Sequence, residues 1–271
     1  MDKFKDILLA SDLDGTLLSS DHSISDKNLE YIQYFQKNGG KFTVASGRPP
    51  MSALEMLSKI SFDIPLVLLN GSVIFDMNKK IPTDITPVGK SSYEVLLNVI
   101  KFFPEVGCEI FDVNDIYMAN SSNISKKHFT EIGKPTAVTC ISDLPLSEKW
   151  LKINFTNENA EILKNLEEFL LKNYKNQYNL CYSCKTFLEI TNLDARKDIS
   201  LFKLANKLGF EKKNIFTIGD NFNDYDMIKN AEWGFAPQNA EQAVKDVAFS
   251  VVSSCDNSAI ADVIQYLDDI F

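Results

Sequence analysis

The chain has 271 residues, of which 45% are hydrophobic and 24% are charged, and its formal net charge at pH 7 is −9. This composition is typical of a globular protein with enough apolar side chains for one large domain or two modest ones. The negative charge makes nucleic acid and anionic membranes poor partners, and no apolar run approaches the roughly 18 residues of a membrane span. The apolar stretch near the start is too short for a signal peptide. We therefore expect a cytoplasmic protein, whose oligomeric state the sequence does not indicate.

The first 82 residues predict alternating strands and helices. The segment of residues 5–12 contains an apolar run without alternation, from Ile7 to Ala10, which is typical of a parallel strand that is covered on both faces. After it come a predicted helix near residues 27–37, a strand at KFTVAS, a helix at MSALEMLSKI, a strand at PLVLLNG and a ribbon at VIFDMNKKIPTD. Polar or glycine residues follow each of the three strands, which favours a doubly wound, Rossmann-like α/β sheet.

The middle of the chain has a different pattern. Between residues 83 and 189, short strands and helices lack comparable motifs at the strand ends, as in the predicted strand WLKINFT and the predicted helix ENAEILKNLEEFLLKN. The first pattern then returns, with a helix near residues 198–208 and a strand at NIFTIG. The sequence thus predicts an α/β core of residues 1–82 and 190–271, interrupted by an α+β domain of residues 83–189.

Carboxylates stand at two of the predicted strand ends. Asp12 and Asp14 lie either side of Leu13, directly after the first strand. Asp220 follows a later strand, and Asp224 comes four residues further on. Because the carboxyl ends of parallel strands meet at one edge of such a sheet, we expect Asp12, Asp14 and Asp220 to converge. Carboxylates repel each other without a cation, and a set of oxygen ligands favours Mg²⁺, which commonly shares its coordination with a phosphate.

These residue types predict a reaction at phosphorus. Asp12, beside the metal, would stay ionised and attack phosphorus, giving an acyl-phosphate that water can break. Asp14, partly protonated beside its neighbour's charge, would protonate the leaving oxygen and later deprotonate water. Ser46, the backbone near Gly15 and Gly47, and a lysine would supply the donors and the positive charge that phosphoryl oxygens need.

Four short motifs occur in order along the chain: DLDGT at 12–16, SGR at 46–48, Lys197, and GDNFND at 219–224. Together they resemble the haloacid dehalogenase superfamily of aspartate-nucleophile phosphatases, in particular its Cof-type group with a large inserted cap. The pairs Asn70-Gly71 and Asn239-Ala240 also fit this group. The first motif alone is moderately specific, whereas four motifs at these separations are highly specific.

The resemblance implies a role for each matching residue. Asp12 would be the nucleophile and Asp14 the acid/base. The Mg²⁺ ligands would be the Asp12 side chain, the Asp14 backbone carbonyl and Asp220, with Asp224 supporting the metal or the lysine. The phosphoryl group and the substrate would be bound by the remaining matched positions, which are Thr16, Ser46, Gly47, Arg48, Asn70, Lys197 and Asn223. The implied enzyme is a Mg²⁺-dependent phosphatase for a small phosphate ester, whose inserted cap selects the substrate.

Two other functions remain open at this point. A phosphomutase shares the aspartyl-phosphate but returns the phosphoryl group to a sugar. A non-catalytic regulator that binds a phosphorylated metabolite could use the same fold, although a binder needs no acid/base pair such as Asp12 and Asp14. The sequence does not name the substrate.

Several residues near these motifs are predicted to have structural roles only. Asp198 follows the lysine where the family usually has glycine, and we expect it to be the N-cap of the next helix. His22 and His128 are predicted to be surface histidines, with a position near the cleft as the alternative for His22, which follows the first motif. Cys181 and Cys184 form a CxxC pair in an extended segment, which favours free thiols over a redox or zinc site.

Overall fold

The protein folds around three sheets in its computed structural model, which describes residues 2–132, 136–137 and 141–271. Within these residues the strands are β1 Leu8–Ser11, β2 Lys41–Val44, β3 Leu66–Leu68, β4 Val73–Asp76, β5 Ile81–Ile85, β6 Gly107–Phe111, β7 Ile116–Asn120, β8 Thr136–Ala137, β9 Lys152–Thr156, β10 Asn179–Cys184, β11 Phe187–Thr191, β12 Ile215–Ile218, β13 Trp233–Pro237 and β14 Ser250–Val252. The α-helices of the same residues are α1 Asp26–Lys37, α2 Pro50–Met56, α3 Ser92–Phe102, α4 Asn123–Ile132, α5 Ala160–Asn173, α6 Lys197–Lys207, α7 Tyr225–Asn230, α8 Gln242–Val247 and α9 Ala259–Ile270.

A five-stranded sheet with the order β14-β13-β12-β1-β2 is parallel throughout. Helices cover both of its faces, so β1 is buried along its whole length. Leu9 belongs to an apolar cluster with residues of α1 and α9, whereas Leu8 and Ala10 belong to a second cluster with residues of α6 and α7. The apolar run that ends at Asp12 therefore serves two cores, one on each face. This arrangement confirms the predicted doubly wound α/β fold.

The predicted third strand, at PLVLLNG, is not a strand of the parallel sheet that contains β1 and β2. It is the short strand β3, which pairs antiparallel with β4 in the three-stranded sheet β3-β4-β5. Val67 of β3 forms an isolated parallel bridge with Ala45, the residue directly after β2. The helix before β3, α2, ends at Met56, earlier than the MSALEMLSKI pattern predicts. The chain turns there and buries Ile60 and Phe62 in the core.

A six-stranded sheet with the order β10-β11-β9-β6-β7-β8 occupies the middle of the chain. Its central pairs, β11 with β9 and β9 with β6, are antiparallel. One face packs against α3 and α5 through an apolar cluster that includes Ile110, Ile153 and Leu188. The sheet therefore has its own core, separate from the two cores of the parallel sheet, and its other face is free to meet the carboxyl ends of β1 and β2.

Candidate active site

The carboxyl ends of β1 and β12 bring distant carboxylates together. Ser11, the last residue of β1, pairs with Ile218 of β12, and the next residue, Asp12, donates its backbone N–H to the Ile218 carbonyl at 2.8 Å. Asp220 follows two residues after Ile218. One oxygen atom from each of Asp12, Asp220 and Asp224 lies within 4.8 Å of the other two. The expected convergence of Asp12 and Asp220 is therefore present, and Asp224 joins them.

The turn after Asp14 helps to place Asp220. Gly15 has a φ of +75°, a conformation that glycine adopts without strain. A Cβ atom at this position would lie 2.6 Å from Oδ2 of Asp220, so a larger residue would displace that carboxylate. The next residue, Thr16, donates its hydroxyl to Oδ1 of Asp220 at 3.0 Å. In this structure Thr16 thus orients Asp220, although the resemblance implies that it binds phosphate.

Lys197 is the buried cation of the cluster. Its Nζ donates to Oδ1 of Asp12 at 2.6 Å and to Oδ1 of Asp224 at 2.7 Å, and its side chain is 1% exposed. Burial opposes the charged form of Lys197, but the two carboxylates outweigh it and raise the pKa of the lysine. Lys197 therefore keeps a fixed positive charge next to Asp12.

The carboxylates of the cluster are crowded as well as buried. Burial, followed by the charge of Asp224, raises the pKa of Asp12 well above its usual range, although Lys197 opposes this effect. The same two causes raise the pKa of Asp220 to about 7. A divalent cation would remove this repulsion, and a set of carboxylate oxygens is the donor set that hard cations prefer. The residues present therefore fit such an ion.

The carboxylate of Asp14 lies outside this cluster and forms an ion pair with Arg48. Arg48 donates from Nε to Oδ2 of Asp14 at 2.7 Å and from Nη2 to Oδ1 at 2.6 Å. Its Nη1 also donates to the Ser52 hydroxyl of α2 at 2.9 Å. Two parallel hydrogen bonds hold a carboxylate in a defined orientation. In this structure Arg48 therefore orients Asp14, whereas the resemblance implies that it binds the phosphoryl group or the substrate, with a structural ion pair as the alternative.

The predicted phosphate-binding residues gather at the ends of β2 and β3. Ser46 is buried, and its Oγ accepts a hydrogen bond from the backbone N–H of Arg48 at 3.1 Å. Asn70 has a φ of 54°, and its Oδ1 accepts a hydrogen bond from Nδ2 of Asn223 at 3.1 Å. A Cβ at Gly47 would lie 3.1 Å from the same Oδ1 atom, so this glycine allows a close approach. The structure therefore brings all four residues into one region.

A cavity of about 550 Å³ lies between these strand ends and the six-stranded sheet. From the parallel-sheet side it is lined by Asp12, Asp14, Ser46, Gly47, Arg48, Asn221 and Asn223, and from the six-stranded sheet and α4 by Phe111, His128, Lys152, Asn154, Phe187 and Glu189. This volume is in the range of pockets that hold small molecules. Groups from both parts of the chain thus face the same space.

Contacts from the six-stranded sheet to the core were not predicted from the sequence. Nζ of Lys152 donates to the backbone carbonyl of Gly47 at 2.9 Å and lies 3.2 Å from Oε2 of Glu189. Nδ2 of Asn70 donates to the same Oε2 atom. The available signal is the alternation in KINFT, where Lys152, Asn154 and Thr156 alternate with apolar residues. All five residues of this strand are buried, so its polar face must meet other polar groups.

The N-cap prediction for Asp198 is wrong. Helix α6 begins at Lys197, and its N-cap position is Arg196. The Asp198 carboxylate accepts hydrogen bonds from Nε and Nη2 of Arg196, at 3.0 and 2.7 Å, and from Nδ2 of Asn230 at 3.1 Å. The first turn of the helix carries Lys197 towards Asp12, which leaves Asp198 two positions after the N-cap. These hydrogen bonds from Arg196 and Asn230 compensate the negative charge of Asp198.

Both histidines line the cavity. His22 is exposed and lies at the rim, whereas Nδ1 of His128 is 2.9 Å from Oε2 of Glu109 and its side chain is 19% exposed. The surface prediction is therefore wrong for His128. The CxxC cysteines Cys181 and Cys184 are free, and burial raises the pKa of Cys181 to about 12, which disfavours a reactive thiolate.

A doubly wound sheet, a buried aspartate–lysine cluster and a covered cavity are together typical of the hydrolases that the four sequence motifs resemble. The sequence model of the haloacid dehalogenase-like hydrolases matches residues 9–264. The chain therefore belongs to the haloacid dehalogenase-like hydrolase family.

Relatives match over nearly the whole chain. The 5-amino-6-(5-phospho-D-ribitylamino)uracil phosphatase YcsE of Bacillus subtilis is 28% identical over 259 residues, which cover 96% of this chain and 94% of that protein. The phosphatase YwpJ of the same organism is 26% identical, with 96% and 99% covered. A crystal structure of a haloacid dehalogenase-like hydrolase from Bacteroides thetaiotaomicron has a TM-score of 0.84 at 25% identity, with 96% and 99% covered. The chain is a phosphoric monoester hydrolase of the Cof type.

Proposed function

We propose that this enzyme is a Mg²⁺-dependent phosphatase that hydrolyses small phosphorylated metabolites through an aspartyl-phosphate on Asp12. The observation that carries the proposal is the buried cluster in which Lys197 joins Asp12 and Asp224 beside Asp220. A carboxylate nucleophile needs a fixed positive charge close by, so that it remains ionised and the phosphoryl group is attracted. Lys197 supplies such a charge beside Asp12, which lines the cavity.

The chain's own groups account for each proton in two steps. Asp12 attacks phosphorus, and the P–O bond to the leaving group breaks as Asp14 protonates the leaving oxygen. Asp14 then takes a proton from water, which attacks phosphorus, and the bond from phosphorus to the Asp12 oxygen breaks. Arg48 keeps Asp14 oriented during both steps through its two hydrogen bonds. Ser46 and the backbone at Gly47 bind the phosphoryl oxygens.

The side chains of Asp12 and Asp220 would hold the ion, together with the backbone carbonyl of Asp14 that the family resemblance implies, and Asp224 would support the ion or Lys197. When bound, Mg²⁺ supplies positive charge to the phosphoryl oxygens. We further propose that residues 83–189 are a cap on a core of residues 1–82 and 190–271, and that the enzyme works in the cytoplasm. Free cysteines support this location. None of the helices in the described ranges is long and apolar enough to cross a membrane.

The direct test is release of inorganic phosphate from p-nitrophenyl phosphate and from a panel of sugar phosphates. We expect turnover with Mg²⁺, loss of turnover in excess chelator, and recovery when Mg²⁺ is restored. Turnover that needs a catalytic amount of a sugar bisphosphate would instead indicate a phosphomutase. An absence of turnover on every ester with Mg²⁺ would contradict the proposal and favour a binding protein.

Mg²⁺ should stabilise the protein more at pH 8 than at pH 5.5. The pKa of Asp220 is raised to about 7 by burial and by Asp224, so the folded protein binds a proton that the unfolded chain has already released. Between about pH 4 and pH 7 the metal-free protein should therefore lose stability as the pH rises. The ion binds the deprotonated group and should restore that stability only at the higher pH.

The measurement is the thermal unfolding midpoint with and without saturating Mg²⁺ at the two pH values. We expect the Mg²⁺-induced rise at pH 8 to exceed that at pH 5.5 by at least about 2 °C. The Asp220→Asn variant, which cannot titrate at this position, is the matched control and should show a smaller difference between the two pH values. Equal shifts at both pH values in the wild type would contradict the assignment.

A further inference from the structure

A row of three buried polar side chains crosses the six-stranded sheet. Glu109 of β6 is opposite Asn154 of β9, and Asn154 is opposite Glu189 of β11. Residues that are opposite each other on neighbouring strands project from the same face of a sheet. Asn154 and Glu189 line the cavity, and Glu109 projects from the same face beside Asn154 but is not itself among the lining residues. Their relative exposures are 0%, 1% and 2%, which is rare for such groups unless they are paired.

The Glu189 end of the row is fully engaged at the phosphate-binding side. Its Oε1 accepts a hydrogen bond from the Ser183 hydroxyl at 2.6 Å, and its Oε2 accepts one from Asn70 and lies 3.2 Å from Nζ of Lys152. This end of the row therefore has no acceptor left for a ligand among the contacts described. Because Asn70 is one of the predicted phosphate-binding residues, we take the Glu189 end of the row as the end nearest the phosphoryl group.

The Glu109 end has unused acceptors. Oε2 of Glu109 accepts hydrogen bonds from Nδ2 of Asn154 at 3.1 Å and from Nδ1 of His128 at 2.9 Å. In the described part of the chain, neither Oε1 of Glu109 nor Oδ1 of Asn154 has a hydrogen-bond partner. A buried acceptor without a donor is unfavourable, and a bound group with O–H or N–H donors would remove that cost.

The surroundings of these acceptors belong to the cavity. Asn154 and His128 line it, as do Phe187, whose ring centroid is 4.7 Å from that of His128, and Phe111. Neighbouring strands are about 4.8 Å apart, so Glu109 lies about 10 Å across the sheet from Glu189. Asn154 and His128, which both contact Glu109, thus lie where the far end of a leaving group would be, away from the predicted phosphate-binding residues.

Cations at the cavity are already paired. Among the lysines and arginines that line it in the described ranges, Arg48 binds Asp14 and Lys152 binds Glu189. A second phosphate or a carboxylate on the leaving group would meet Glu109 and Asn154 oxygens without a spare cation to compensate it. Such a ligand would leave both itself and the acceptors poorly solvated.

We propose that Glu109 and Asn154 select the substrate, by accepting hydrogen bonds from hydroxyl or amino groups at the far end of the leaving group and by rejecting leaving groups that are anionic there. This inference rests on the proposed phosphatase function and adds its substrate class. A site with buried acceptors discriminates strongly against a substrate that lacks the donors, because the acceptors then stay unpaired. Phe111 and Phe187 supply apolar contacts for the carbon skeleton.

The test compares four esters that share a five-carbon chain: ribitol 5-phosphate, 5-aminopentyl phosphate, pentyl phosphate and 4-carboxybutyl phosphate. For the wild type we expect kcat/KM for ribitol 5-phosphate or 5-aminopentyl phosphate to exceed that for pentyl phosphate by about 10²-fold or more. The carboxylate ester should be the poorest of the four. Preference for the polyol identifies hydroxyl groups as the recognised donors, and preference for the amine identifies an ammonium group.

Variants of Glu109 and Asn154 test whether these two residues cause the preference among the esters. Glu109→Gln replaces an acceptor with a donor, and Asn154→Leu removes both polar atoms at nearly constant volume. In each we expect kcat/KM for the donor-bearing esters and for pentyl phosphate to come within about tenfold of each other. Glu109→Gln should also improve the carboxylate ester. Glu168→Gln, on the exposed side of α5 in the same segment, is the matched control and should keep the wild-type ranking.

Each outcome decides between the two proposals. A wild type that cleaves pentyl phosphate and both donor-bearing esters equally well overturns the inference, whether or not the variants fold. Folded variants that keep the wild-type ranking overturn it as well. In both cases turnover of p-nitrophenyl phosphate leaves the proposed phosphatase function intact. A wild type that cleaves no ester with Mg²⁺ overturns both.

Discussion

Asp12→Asn should reduce phosphate release to the background of the assay while the fold is retained. The asparagine amide has the size of the carboxylate but is a very poor nucleophile, so the first chemical step is lost. Uncatalysed hydrolysis of phosphate monoesters is among the slowest reactions known, and no residual path can replace the nucleophile. Phosphate release from p-nitrophenyl phosphate with saturating Mg²⁺ measures the loss.

The control for this experiment is a carboxylate away from the cavity. Asp246→Asn, at an exposed position of α8, makes the same chemical change and should keep wild-type activity. The unfolding midpoint of Asp12→Asn should stay close to that of the wild type, because Asn fits the same space beside Lys197. Retention of more than about a tenth of wild-type activity would remove Asp12 from the role of nucleophile.

The part of the site at the carboxyl ends of β1 and β12 could be predicted from the sequence. The local hydrophobic pattern and the topology of a parallel sheet both place Asp12 and Asp220 there. A long apolar run predicts that β1 is a buried parallel strand, and that role places Asp12 at the carboxyl end of the sheet. The same reasoning applies to Asp220 after β12. Adjacent parallel strands then bring these two residues together whatever their separation in sequence. Lys197 was found only through the family motif, since a single lysine at a helix start carries no signal of its own.

Partner choice among neighbouring side chains was harder to predict. Arg48 was expected to bind the phosphoryl group or the substrate, yet it binds Asp14. Asp198 was expected to cap α6, yet it binds Arg196. Local sequence shows that a charged group is present and which element it begins or ends. Which of several nearby opposite charges it contacts depends on rotamers and on the direction in which the helix leaves the loop.

The six-stranded sheet shows a different limit of sequence reasoning. Glu109, Asn154 and Glu189 are far apart in the chain and become neighbours only through the register of three antiparallel strands. An alternating strand such as KINFT predicts one apolar and one polar face, and the polar face is ordinarily expected to contact solvent. Here that face is buried against the cavity, which depends on how the two halves of the protein pack. The alternating pattern could be recognised in the sequence, but the burial of its polar face against the cavity could not be predicted from it.

Asp14→Asn should slow the reaction of an alkyl phosphate by roughly 10²–10⁴-fold, because the variant can neither protonate the leaving oxygen nor deprotonate water. The Mg²⁺ concentration for half-maximal rate should change little, since the backbone carbonyl is retained and the carboxylate lies with Arg48, outside the cluster of Asp12, Asp220 and Asp224. For p-nitrophenyl phosphate, whose leaving group is stable as an anion, the first step needs no proton. Its rate of p-nitrophenolate release in a single turnover should therefore fall less than that of the alkyl ester.

The Arg48→Lys variant tests how much the orientation of the Asp14 carboxylate contributes to the rate, apart from the proton transfer by Asp14 itself. A lysine keeps the charge beside Asp14 but cannot form the two parallel hydrogen bonds of a guanidinium group, so the carboxylate loses its defined orientation. We expect kcat for the alkyl ester to fall in Arg48→Lys by a smaller factor than in Asp14→Asn. Adding Arg48→Lys to Asp14→Asn should cost little more, because the two residues act in one function and their losses are then not additive. Full additivity in this double-mutant cycle would show that Arg48 acts elsewhere, for example on the phosphoryl group as the sequence predicted. A tenfold shift in the Mg²⁺ requirement of Asp14→Asn would place the Asp14 carboxylate among the metal ligands instead.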